Sequence, residues 1–397
     1  MMSERQRAAC AAVDAMLPQL AALSDWMYRN PEIGFAEVGA AEHLTDFLAR
    51  EGFAIDRGVG GMPTAFIGTH CGASPGPSIG VFAEYDALPD IGHACGHNII
   101  GACAVGAAAA VKRAWPDLPG TIQLFGSPAE EGGGGKVIMV EQGLVQSLDA
   151  AMMIHASVAD RTMTNNLSVQ RMDLTFHGRT AQPAGSAHEG VSAFEAAILT
   201  WTNINAIRQY LEPDFYVHGI MKEGGFAANV IPDRASLVMY ARAPRGNDLE
   251  YLIERITNCA KAAALTTGAT MTITEVGKRF LRVVNNPTLS GLLAANYARV
   301  GRPAGSPTPR PRASTDMGNV SQVVPSIHGY IRIGDAAMIG NTHSPEFAPH
   351  TVTDEAHKAI ADAAKAMAMT CVDLFEKPAL LDQAQREFAG LMSVERA

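Results

Sequence analysis

A chain of 397 residues is longer than a single hydrophobic core usually supports, so two domains are the first expectation. Hydrophobic residues make up 47% and charged residues 18%, which excludes a disordered chain. The formal charge of -9, without any Lys/Arg run, argues against nucleic acid or an anionic membrane as partner.

The first twenty residues read as an amphipathic helix and not as a signal peptide. No run of about 18 apolar residues occurs, so no membrane span is expected. Cys10, Cys71, Cys95, Cys103, Cys259 and Cys371 are scattered, with no Cys-x-x-Cys pair. That usage predicts a reducing, cytoplasmic setting, with Cys95 alone carrying chemistry.

The first fifty residues look helical, broken at Pro31 and Gly34 and resuming over 40–50. Residues 65–68 read as a short strand, and Pro75 and Pro77 as a loop. Three strand-like runs follow at 78–85 (SIGVFAEY), 121–125 (TIQLF) and 150–154 (AAMMI). A small-residue helix (IIGACAVGAAAAVKRAW) and a helix over 135–146 separate them, which predicts a parallel sheet with covered faces. The texture changes near Asn166. Strands at 167–177, 217–221, 235–241 and 269–275, with helices at 190–210 and 248–266, predict an inserted domain over 167–278. A helix at 286–300, a strand at 328–333 and a closing helix at 353–375 return the chain to the first domain, made of 1–166 and 279–397.

In open α/β sheets, ligands bind beyond the carboxyl ends of the strands. The first run ends in Glu84-Tyr85-Asp86 and continues to His93, Cys95 and His97; the second leads into Glu130-Glu131 and four glycines; the third ends at His155. A thiolate with an imidazole two residues on suits zinc-like metals and not magnesium or calcium. His93 is read as a non-ligand. Adjacent carboxylates after a buried strand can divide labour, one holding metal and the other moving a proton. Taken alone, His155 reads as a core histidine and His343, in Asn-Thr-His-Ser-Pro-Glu, as a surface one; both gain weight from the others. The glycine run fails as a phosphate loop, because Val137 follows Lys136 where Ser or Thr is required. No Gly-x-Ser-x-Gly elbow occurs, and Cys95 and His97 are too close in sequence to make a good nucleophile–base pair.

The segments RNPEIGFAE, AEYDALP, GHACGHNIIG, PAEEGGGGK, GGFAANVIPD, STDMGNVS, VPSIHGYI and HSPEFA resemble the M20 metallopeptidase family. The likeness is nearest to its amidohydrolase branch of aminobenzoyl-glutamate hydrolase, dipeptidases and aminoacylases. It implies an α/β, phosphorylase/hydrolase-like catalytic domain with a mostly parallel sheet, and a smaller α+β, ferredoxin-like lid and dimerisation domain. It implies two divalent ions, zinc or manganese with cobalt or nickel also compatible, bridged by Cys95 and completed by His97, Glu131, His155 and His343. Glu130 matches the general base and acid, and Asp86 the aspartate that orients an imidazole. Glu84 stands where many relatives have a ligand histidine. Asn229 and Arg242 match residues that grip substrate, Thr315 lies in the pocket-shaping stretch 314–319, and a homodimer is implied. Gln182 stands where relatives carry a histidine reaching into the partner's site; His188 offers an imidazole six residues on. The expected function is hydrolysis of a small N-acyl amino acid, an aryl-amide of glutamate or a dipeptide by a metal-bridging hydroxide. The alternative is a catalytically impaired metal-holding or ligand-binding member.

Overall fold

The computed structural model describes residues 1–306 and 313–395. The chain starts in α1 (Glu4–Arg29), where Ser3 and Gln6 cap each other reciprocally. Such a cap contributes about 1 kcal/mol. Ala9, Val13, Met16, Leu20, Leu23 and Met27 recur at helical spacing and form its buried stripe. Next come α2 (Val38–Arg50), β1 (Ala54–Arg57), β2 (Phe66–Cys71) and β3 (Ser74–Ala83). Then follow α3 (His97–Ala114), β4 (Pro119–Gly126), α4 (Gly135–Glu141) and β5 (Ala150–Ser157).

A second group comprises β6 (Ser168–His177), α5 (Ala193–Ile207), β7 (Tyr216–Glu223), β8 (Arg234–Ala243), α6 (Gly246–Thr267) and β9 (Thr270–Phe280). The chain closes with α7 (Pro287–Arg299), α8 (Met317–Ser321), β10 (Ser326–Arg332), α9 (Ala336–Ile339), α10 (Asp354–Glu376) and α11 (Pro378–Glu395).

Six strands form one sheet in the order β1-β2-β4-β3-β5-β10. Strands β4, β3, β5 and β10 run parallel, and β2 and β1 add antiparallel pairings at one side. Alanine-rich α3 and α10 pack with α1 in the main core. A Cβ at Gly106 would come within 2.6 Å of Leu20 Cδ1, so the glycine permits the close approach of α1 to α3. The other four strands form an antiparallel sheet ordered β7-β8-β6-β9, with α5 and α6 sharing its core. The sequence β-α-β-β-α-β in that spatial order is ferredoxin-like, as the resemblance implied.

Several boundaries move. Pro75 and Pro77, expected in a loop, lie within β3; a register shift between Ser74 and Ser78 accommodates residues that have no N–H for the ladder. The strand read as ending at Ile154 continues to Ser157, so His155 sits inside β5 rather than after it. The helix read from Ile99 starts at His97, and the one read over 135–146 stops at Glu141. Helix α11 and strand β1 were not anticipated: β1 is four largely exposed residues without apolar alternation, and α11 starts at Pro378, directly after the end of α10. Among the described residues, no helix is long and apolar enough to cross a membrane.

Candidate metal centre

Four segments deliver the sequence-identified side chains to one end of the six-stranded sheet. Gly96, with φ 83°, sits between Cys95 and the first residue of α3, His97. A Cβ there would lie 2.6 Å from Ala156 Cβ, so only glycine allows this loop to press against β5. Just beyond β3, Asp86 Oδ1 accepts a hydrogen bond from His97 Nδ1 at 2.9 Å, and Oδ2 accepts from the Glu131 backbone N–H at 3.0 Å. One buried carboxylate thus fixes the imidazole tautomer and the Glu131 backbone together.

After β4 the chain turns through Ala129, a non-glycine residue at φ 56°. Its N–H donates to Glu37 Oε1 at 2.8 Å, while Glu37 Oε2 accepts from Thr64 Oγ1 at 2.9 Å. Glu37 is fully buried, so it clamps the strained turn that aims Glu130 and Glu131. Sequence reasoning gave Glu37 no role, although it closes the RNPEIGFAE segment.

His155 Nδ1 donates to the Ala156 carbonyl at 2.6 Å, which leaves Nε2 as a lone pair 3.5 Å from Cys95 Sγ. His343, at φ 69°, is held by its N–H to Ala94 O, and its Nε2 lies 3.1 Å from Glu131 Oε1. Four groups of candidate donors have their atoms within 4.8 Å of one another: Cys95, His97 and His155; Cys95, Glu131 and His343; His97, Glu130 and Glu131; and Glu84, Glu130 and Asp316; the first two are the sets that contain the thiol. Cys95 is common to both.

The unsatisfied atoms of these groups fit divalent cations. His97 Nε2 and Glu131 Oε1 are buried without a well-formed hydrogen bond. His97 Nε2 also lies 3.9 Å from carboxylate oxygens of both Glu130 and Glu131. Burial pushes the Cys95 thiol well above its usual range, so a thiolate here requires adjacent positive charge. A soft sulfur among imidazoles and a carboxylate suits zinc-like ions.

Behind these donors lies a buried ion cluster that sequence reasoning did not assemble. Lys136 Nζ is 2.5 Å from both Glu84 Oε1 and Asp316 Oδ1, and none of the three side chains is exposed. Burial raises the Glu84 carboxyl, but the ammonium of Lys136 and the His97 imidazole outweigh it and hold the group down at about 2. Burial, joined by Glu84, Glu131 and Asp316, pushes Glu130 well above the usual carboxylate range. A Lys136→Met protein is expected to lose about 3–5 kcal/mol of stability, because two buried carboxylates lose their counterion. Urea denaturation measures this, and an unchanged midpoint would contradict the assigned network.

A cavity of about 630 Å³ opens over the centre. Cys95, Glu130, Glu131, His155 and His343 line it from the six-stranded sheet, and His218, Tyr240 and Arg242 from the four-stranded one. Arg242 Nη1 donates to Ser314 Oγ at 2.9 Å, and buried Thr315 lies beside it on the wall. Gln182 and Asn229 are exposed, in the α5-side turn and the β7–β8 loop, and neither lines the cavity of the single chain. His188 is also exposed.

Residues 68–369 match the family model described as Peptidase family M20/M25/M40. The chain is 35% identical to the Xaa-Arg dipeptidase of Mus musculus, over 98% of this chain and 94% of that protein. It is 29% identical to a p-aminobenzoyl-glutamate hydrolase subunit of Escherichia coli (strain K12), over 95% and 93% respectively. Among solved structures, the YXEP protein of Bacillus subtilis, described as a dinuclear metal binding peptidase, superposes with a TM-score of 0.69. It shares 21% identity, and the match covers 90% of this chain and 99% of that one, which is a likeness of fold.

Proposed function

This chain belongs to peptidase family M20/M25/M40 and is a hydrolytic enzyme acting on amide bonds; on that premise we propose that it cleaves a small N-acyl amino acid, an aryl-amide of glutamate or a dipeptide, using two divalent ions held by the two donor sets. The supporting observation is that the two thiol-containing sets share Cys95, while Glu130, grouped with His97 and Glu131 but not with Cys95, stands beside them on the cavity wall.

In this reading His97 and His155 would hold one ion and Glu131 and His343 the other, with Cys95 placed to serve both. Bound there, the ions supply Lewis acidity, polarising an amide carbonyl and lowering the pKa of water. Glu130 takes a proton from water on one oxygen and delivers it to the departing nitrogen. Its raised proton affinity suits that transfer. Asp86 keeps the His97 Nε2 lone pair aimed at the centre. Arg242 pairs with a substrate carboxylate, its Nη1 already oriented by Ser314. Glu84 engages Lys136 through Oε1, while its Oε2 is buried without a hydrogen bond 3.4 Å from His97 Nε2.

The segment 167–278 serves as lid and dimerisation domain in this proposal. Strand β7 is an unpaired edge of its sheet, and its exposed Met221 adjoins Ile198 and Trp201 of α5. A second copy would cover this face, and Gln182 would then act across the interface. A Gln182→His protein is expected to gain activity on simple N-acyl amino acids, since an imidazolium adds a charged donor for a developing oxyanion. Steady-state kcat/KM on such substrates decides it; a fall would mean that Gln182 is tuned to another substrate. Six free thiols suit the reducing cytoplasm proposed as its compartment.

The test of the whole reading is an assay of protein loaded with zinc, manganese or cobalt against acylated amino acids and dipeptides. Release of free amine with saturation kinetics supports it. No amide cleavage with any of the three metals sinks it.

A further inference from the structure

We propose that the cavity selects substrates bearing a second carboxylate, and that Arg161 is the residue that receives it. The inference rests on the reading above, in which Arg242 holds the first carboxylate.

Arg161 is aimed by its backbone. Its N–H donates to Tyr330 O at 3.0 Å, and its carbonyl accepts from Tyr330 N–H at 2.7 Å. This is a doubly bonded antiparallel pair, in which opposed side chains project to the same side. The Tyr330 ring lies over the centre, with its centroid 5.6 Å from that of His155, and both Tyr330 and Arg161 line the cavity.

The guanidinium is uncommitted. Arg242 is tied to Ser314 and lies beside His218, whereas the Arg161 side chain has no hydrogen bond or ion pair among the described residues. On the same wall stands His328, 1% exposed, with both ring nitrogens buried and unpartnered. Those nitrogens are not open to the cavity, whereas the uncommitted Arg161 guanidinium on its wall is a charged donor that an anionic ligand group would satisfy.

The charge inventory points the same way. Among the described residues, the acidic side chains lining the cavity are Glu130 and Glu131, both occupied at the reacting centre. A lysine or arginine side chain on the substrate would find no other carboxylate and would face two guanidinia. A second carboxylate would find the Arg161 guanidinium. Arginine-terminated dipeptides, for which the mouse relative is named, are therefore expected to be poor ligands here.

Calorimetric titration of metal-loaded full-length protein carrying Glu130→Gln tests this without turnover. Two pairs of probes are used, each differing by carboxylate against carboxamide. N-benzoyl-glutamate against N-benzoyl-glutamine places the group on the amine side, and N-succinyl-leucine against N-succinamoyl-leucine places it on the acyl side. At least one acid is expected to bind about tenfold or more tightly than its amide, as a charge-assisted contact implies. Adding Arg161→Gln should collapse that ratio, and Arg161→Lys should restore part of it. Because each ratio compares two ligands on one protein, a general loss of stability does not mimic the effect. Equal affinities within both pairs, or a ratio that survives Arg161→Gln, overturns the proposal. A preference that persists in a protein whose native form cleaves no amide would leave the carboxylate site standing and remove the hydrolytic reading instead.

Discussion

A Glu130→Gln protein is expected to retain its fold and its metal content while kcat falls by about 10²–10⁴-fold, the usual contribution of a positioned general acid–base. That loss corresponds to about 2.7–5.5 kcal/mol of transition-state stabilisation. The replacement is nearly isosteric and lies outside both donor sets that share Cys95. It removes a group with no hydrogen-bonding role in the fold: Glu130 is 7% exposed, has His97 Nε2 at 3.9 Å as its favourable neighbour, and is otherwise crowded by Glu84, Glu131 and Asp316. Relieving that repulsion should leave the melting temperature level or slightly raised. The combination separates catalysis from folding. Elemental analysis showing lost metal would make Glu130 a ligand, and unchanged kcat would remove it from the reaction.

The sequence made the centre legible because its chemistry is local to strand ends. Cys95-Gly96-His97, Glu130-Glu131 and His155 each follow or close a run of apolar residues, and parallel strands necessarily open their carboxyl ends to the same edge. The order of β6 to β9 was legible for a similar reason, since alternation of period two separates half-buried strands from helices. What stayed hidden depends on contacts between distant segments. The Lys136 cluster joins residues 84, 136 and 316. Tested only as a phosphate-loop lysine, Lys136 carries no local mark of being fully buried. The support of Ala129 by Glu37 spans 92 positions. Arg161 takes its orientation from Tyr330, whose strand comes far later in the chain. Periodicity does not encode such pairings, and neither does spacing. The prolines of β3 were misplaced because a ladder with a register shift tolerates what a regular ladder does not.

Cys95→Ala provides the sharpest test of the shared-donor arrangement. If one sulfur serves both ions, removing it should lower metal content from two per chain to below one, and activity should disappear. His155→Ala and His343→Ala each remove a donor from one set and should leave the other ion more strongly retained. The thermal signature follows from linkage: a ligand that binds only the folded state at about 1,000 times its Kd adds about 4.1 kcal/mol to stability. Wild-type protein should therefore melt several degrees higher with metal than in chelator, with the Cys95→Ala protein nearly insensitive to either. In chelator the two should melt close together, since the substitution removes a single buried sulfur at the cavity wall. Retention of two ions by the Cys95→Ala protein would mean that the centre is held by the imidazoles and Glu131 alone. The thiol would then be a packing residue, and its position between the two donor sets would require another explanation.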